Sequence, residues 1–139
     1  MAAKTGKTKR DAKCVYVISG KDKFLVATRC ELLLDEVIDF EHRPMCLYEP
    51  RADEAAIADV LDELRTLPFC ADRRVVLIKD AGDFISANRE ILEKYFDSPS
   101  PTGVLVLTVQ TWHKNSRLAK KLPKIGSLIN VEDIKSYHL

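Results

Sequence analysis

No apolar run in this 139-residue chain is long enough to cross a bilayer, which excludes a helical membrane span. The basic N-terminus has no apolar stretch behind it and does not read as a secretory signal. Charge of one sign is also lacking. Lys and Arg number 22 and Asp and Glu 21, so a formal net charge of +1 gives no global field to gather nucleic acid or an anionic membrane. Cys14, Cys30, Cys46 and Cys70 form no CxxC pair and no metal-ligand spacing, and each sits in an apolar context. They predict reduced, mostly buried thiols in a cytoplasmic protein, and no metal centre. His42, His113 and His138 are scattered, with no nucleophile pattern around them.

A phosphate cradle is missing too. Such a loop has the form GxxxxGK(S/T): a glycine-rich curve aims N–H groups at the phosphates, a Lys neutralises them and a hydroxyl holds magnesium. Ser19-Gly20-Lys21-Asp22 offers a single glycine. Counting back from Gly20 reaches Tyr16 and Val17 where the loop should begin, so the loop has no length. Asp22 stands where Ser or Thr is required and would repel a phosphate. The segment reads instead as a tight turn that closes a first strand and caps a first helix. Asp80 and Asp83 follow one later strand, and Gln110 and Thr111 another. An acid at a strand end can hold magnesium and a Gln or Thr can sense a nucleotide, but without a cradle they make no ATPase. These residues point to no enzyme and no cofactor.

What is present alternates. Residues 1–12 are small, polar and basic, and read as a disordered tail ahead of one domain, residues 13–139. Residues 14–18 are an apolar strand. Residues 23–38 take a helical period, with Phe24, Leu25, Leu32, Leu33, Val37 and Ile38 as a wide apolar stripe and Asp22 as the cap. Residues 45–48, held between Pro44 and Pro50, read as a second strand. Asp53 is expected to open the next helix. There Ala56, Ile57, Val60, Leu61 and Leu64 recur at intervals of three and four, with Asp59, Asp62 and Glu63 turned to water. Residues 75–78 are a central strand. Residues 88–96 are a helix with Ile91, Leu92 and Tyr95 inward, ended by Pro99 and Pro101. Residues 104–109 are the most deeply apolar strand, residues 116–122 a short basic helix closed by Pro123, and residues 128–131 a last strand. Short strands rich in Val, Leu and Ile alternating with helices predict an α/β fold: a doubly wound, mostly parallel, five-stranded sheet. Residues 131–139 are too few and too polar to cover its last strand, so this is expected to be the first domain of a longer chain.

The stretch 61–79, LDELRTLPFCADRRVVLIK, is the most informative. Pro68 lacks an N–H and pushes the residue before it out of the α region, so the helix should stop at about Leu67. That takes Phe69 off the helix face. Its ring either plugs the core or stands out as a contact. Four segments in order carry a resemblance: VYVISGKDKFL (15–25), L-x-x-L-x-x-LPFCADRRVVLIKDAGDF (61–84), the helix and proline turn of 92–101, and VLVLTVQTWHKNSRLAKKL (104–122). Together they resemble the N-terminal domain of the delta subunit of the bacterial DNA polymerase III clamp loader, over residues 13–139.

The resemblance implies a degenerate P-loop, AAA+-like fold without a working phosphate loop, in agreement with the short turn at Gly20. It implies a non-catalytic subunit of the DNA polymerase III holoenzyme that binds the sliding clamp and helps open it for loading onto primed DNA. The clamp-binding element then falls on Leu67, Pro68, Phe69 and Cys70, with Phe69 as contact rather than plug. Cys70 departs from the family pattern, which has a second large apolar residue there. Arg65 stands where clamp-binding peptides tend to carry Gln. Both departures weaken the implied affinity.

Lys114, Arg117, Lys120, Lys121 and Lys124 lie on or beside the helix of residues 116–122, with Leu118 and Leu122 inward. This basic face either meets DNA phosphates or is simply solvated. The partners implied are the sliding clamp, other clamp-loader subunits through regions mostly beyond residue 139, and DNA weakly or indirectly, with no membrane. One rival reading is a degenerate nucleotide-fold regulatory or interaction domain with another protein partner. Another is a nucleotide enzyme fragment whose catalytic residues lie beyond Leu139.

Overall fold

The computed structural model describes residues 12–67 and 73–131. The expected tail, all but its last residue, lies outside the described residues, as do Pro68, Phe69 and Cys70 and the chain from residue 132 on.

Five strands make one sheet: β1 Val15–Ser19, β2 Leu47–Tyr48, β3 Arg74–Ile78, β4 Gly103–Val109 and β5 Gly126–Asn130. Their order is β2-β3-β4-β1-β5 and every pairing is parallel. Val17 lies opposite Leu107 on one side and Leu128 on the other. The apolar runs explain the arrangement, because alternate residues of a strand face opposite sides. Val15, Val17, Val76, Ile78, Leu105 and Leu107 enter one core. Ile18, Val75, Leu77, Val104 and Val106 enter a second. Helix α1, Lys23–Val37, covers the second core with Cys30, Leu33, Leu34 and Val37, beside the short α2, Arg43–Cys46. Helices α3 Ile57–Arg65, α4 Gly82–Ala87, α5 Arg89–Asp97 and α6 Arg117–Ile125 cover the first. Every residue of β4 is buried. At about 1.5–3 kcal/mol for each large apolar side chain removed from water, β4 is the strand that holds both layers together.

Several local expectations give way. Met45 and Cys46 are helical, because Pro44 sits in the first turn of α2, where its missing N–H has no intrahelical partner to lose. Strand β2 shrinks accordingly. Asp53 does not open α3; it pairs with Arg51 at 3.0 Å, and α3 starts at Ile57 behind Ala56. Phe24 and Leu32 are 76% and 54% exposed. Leu32 lies about 200° around the helix from the buried Cys30, which puts it on the water side. Ile91 is exposed, and Phe96 joins Leu92 and Tyr95 inside. Glu63 is half-buried against Arg74 rather than turned to water. Helix α4 is additional to the expected elements, and α6 continues through Pro123 to Ile125. Pro123 removes only its own donor, and the Gly126 N–H still reaches the Leu122 carbonyl.

Candidate interaction surface

At the C-terminal edge of the sheet the ends of β1, β3 and β4 are stitched together. Gly20 N–H donates to Val109 O at 3.0 Å, and Ala81 N–H to Thr108 O at 2.7 Å. Asp80 N–H donates to Thr108 Oγ1 at 2.8 Å, and Asp80 takes a left-handed φ of 54°. Three residues separate β1 from α1. Asp22 caps that helix, its Oδ1 accepting from Phe24 N–H at 3.0 Å and Leu25 N–H at 3.2 Å. Two of the N–H groups at the start of this helix, those of Phe24 and Leu25, are therefore held by the chain's own carboxylate. The edge has no glycine-rich loop of the kind that cradles a phosphate.

A cleft of about 240 Å³ remains behind it, lined by Lys23, Val26, Ala27, Cys30, Lys79 and Asp80 among others. Lys79 pairs with Glu49 at 3.3 Å. Burial pushes the Cys30 thiol up to about 11, with Lys79 acting in the opposite direction, so at neutral pH it is no nucleophile. Cys14 is half-buried and Cys46 buried, and both are free thiols. Among the described residues no group of three or more His, Cys, Asp or Glu is placed to hold a metal.

The opposite, N-terminal edge carries the end of α3. Glu63 pairs with Arg74 at the start of β3. The Leu64 carbonyl lies so close to Gly103, at the start of β4, that any Cβ there would collide with it. Arg65 stacks over Tyr95 of α5, 5.8 Å from the ring centroid. Thr66 ends the helix, its Oγ1 donating to Asp62 O at 2.6 Å. Leu67 then stands 76% exposed. The helix stops two residues before Leu67, close to where Pro68 predicts.

The basic residues gather on one side of α6. Arg117, Lys120, Lys121 and Lys124 recur at intervals of three and four, opposite the buried Leu118 and Leu122, and Lys114 is exposed in the turn before them. Two of these charges are shared with acids of α5: Arg117 with Glu93 at 3.9 Å, and Lys121 with Asp97. Lys120 and Lys124 are exposed.

The model of the family described as DNA polymerase III, delta subunit matches residues 16–132. The chain belongs to this family. It is 24% identical over 132 residues to the DNA polymerase III subunit delta of Bacillus subtilis strain 168, covering 88% of this chain and 38% of that protein. The solved Bacillus subtilis DNA clamp loader delta protein (YqeN) superposes with a TM-score of 0.74 at 23% identity, covering 93% of this chain and 42% of that one. A DNA polymerase III gamma subunit-related protein of Thermotoga maritima shares the fold at a TM-score of 0.57 and 16% identity, over 88% of this chain and 43% of that one. This delta-family chain thus shares the parallel α/β fold of these solved structures, and spans about two-fifths of the length of these relatives. No helix among its described residues is long and apolar enough to cross a membrane.

Three features at the end of α3 in this delta-family chain lie beyond what sequence reasoning predicts: the Arg65–Tyr95 stack, the Glu63–Arg74 pair and the close approach at Gly103. Only the last leaves a signal. A glycine heading a strand that is apolar but for Thr108 marks a place where another backbone comes near.

Proposed function

We propose that the chain is the clamp-binding part of a clamp-loader delta subunit. It performs no chemistry of its own. Within the DNA polymerase III holoenzyme it docks on the sliding clamp and helps open the ring for loading onto primed DNA. The family match across residues 16–132 carries this reading, and the exposure of Leu67 just past the end of α3 supports it. The sequence Leu67-Pro68-Phe69-Cys70 is uncharged and carries an aromatic side chain, which suits an apolar pocket, where a rigid aromatic anchor gains large contact area at small entropic cost. Behind Leu67, α3 is tied to β3, β4 and α5, so a load on Leu67 passes into the sheet. The other loader subunits engage through regions mostly beyond residue 139. Lys114, Arg117, Lys120, Lys121 and Lys124 meet DNA weakly. No cofactor is used, and the protein works in the cytoplasm. The rival partner-binding reading draws no support from the family match.

Titrating the cognate sliding clamp against the wild-type and Phe69→Ala chains tests the proposal. Loss of a central anchor should weaken binding by roughly 2 kcal/mol or more. The free domain should lose less than about 1 kcal/mol. A plug would behave in reverse, costing roughly 3–5 kcal/mol of stability with clamp affinity unchanged, and that result rejects the contact. Cys70→Phe, toward the family pattern, should tighten the complex.

A further inference from the structure

The strands are parallel, so each crossover returns the chain to the N-terminal edge of the sheet before the next strand begins. Residues 39–46 arrive there ahead of β2, and Leu67 arrives there past the end of α3, ahead of β3. β2 and β3 are neighbours, with Leu47 opposite Val75. Residues 39–46 and Leu67 therefore share one edge, at adjacent strands. The earlier segment is pinned on both sides, since Ile38 and Cys46 are each only 1% exposed. Between them the chain turns large apolar side chains outward. Phe40 is 75% exposed and Met45 51%, beside an exposed Pro44. Single exposed apolar residues are ordinary on a surface. A Phe and a Met on one pinned segment, at the same edge as the exposed Leu67, mark that edge rather than a scatter. Phe40 is also backed. The Arg43 guanidinium carbon lies 5.2 Å from its ring centroid, and Arg43 donates to Glu31 Oε1 at 3.1 Å and to Asp35 Oδ1 at 3.0 Å. An aromatic ring resting on a side chain held at two points has little freedom to lose on binding. Asp39 and Glu41, both exposed, supply a polar rim.

We infer that Phe40 and Met45 form a second contact for the sliding clamp, continuous with Leu67 across the N-terminal edge. The inference rests on the clamp-binding reading above and names further residues for that partner. Helices α1 and α3 lie on opposite faces of the sheet, so the footprint straddles the edge. A standard interface takes about 800 Å² from each partner, a disc about 30 Å across. That spans the sheet together with a helix of about 10 Å diameter on either side. Two apolar contacts so spaced resist rotation about either one, which a single anchor does not. A subunit that helps open a ring has to hold the ring against such rotation.

The test titrates the cognate sliding clamp against wild-type chain and against Phe40→Ala, Met45→Ala and Leu67→Ala. Truncating Phe40 should weaken binding about five- to thirtyfold, as loss of an interface anchor does, with Met45→Ala falling in the same direction. The melting temperature of Phe40→Ala should stay close to wild type, because an exposed ring leaves no cavity behind it. Clamp affinity unchanged in Phe40→Ala, with Leu67→Ala weakened, overturns the inference and leaves the clamp reading standing. Hydrogen exchange on wild-type chain makes the same division without any substitution. Adding clamp should slow exchange at residues 39–45 together with residues 65–67. Protection confined to residues 65–67 overturns the second contact alone. Wild-type chain that neither binds the clamp nor gains protection overturns the clamp reading, and the inference falls with it.

Discussion

At the scale of single residues, Cys30 makes the fold sensitive to alkali. Its thiol is raised from 9.0 to about 11 by burial, so the folded chain keeps a proton that the unfolded chain releases. The stability this contributes is complete below about pH 9 and is lost as the pH climbs toward 11. Tyr95, also raised by burial, acts in the same direction above its ordinary 10.0. The melting temperature should therefore fall between about pH 8 and 10.5, and fall less steeply in Cys30→Ala. Equal slopes in the two proteins would mean that the thiol ionises as readily folded as unfolded. The burial of Cys30 is legible from its apolar setting, and the cap at Asp22 from its place before a helical period. The exposure of Phe24 is not. An aromatic residue in the first turn looks like core until the inward arc is fixed by Cys30, Leu33, Leu34 and Val37.

At the scale of elements, the seating of α3 on the sheet depends on Gly103. Gly103→Val would drive a side chain into the Leu64 carbonyl and lift the end of the helix. It should cost more than about 2 kcal/mol, read from denaturant unfolding, and clamp affinity should fall with it. A Gly103→Val chain of wild-type stability would show that α3 has slack the packing does not suggest. Helix α6 makes a different prediction. Ala at Lys114, Lys120 and Lys124 together should lower the slope of log affinity for DNA against log salt by about 2–3, at roughly 0.7–0.9 per phosphate contact. An unchanged slope would mark that face as merely solvated. The elements themselves are largely legible, since a strongly periodic segment such as α3 announces its face. The failures are local. Pro44 and Pro123 read as breaks, though the first starts a helix and the second is tolerated inside one. Asp53, a good cap by type, is drawn instead to Arg51.

At the scale of the whole molecule, the parallel order β2-β3-β4-β1-β5 is legible in its class and not in its sequence of strands, because alternation counts strands without saying which lie side by side. The ion pair and the ring stack at the end of α3 are invisible for a related reason: each joins residues of different elements. The fold keeps the architecture of a nucleotide site and closes its cradle with Asp22, so ATP with magnesium should show no saturable binding tighter than about 100 μM, or roughly −5.5 kcal/mol. Calorimetry that finds such binding would refute this. All five strands run one way, so the Asp22 cap and Leu67 stand at opposite ends of the same β-sheet. Neither end supplies a side chain to the other, and the two are separately editable. Transplanting a genuine glycine-rich loop between β1 and α1 would rebuild a nucleotide cradle at one end of the sheet without altering Leu67 or the last turn of α3 at the other.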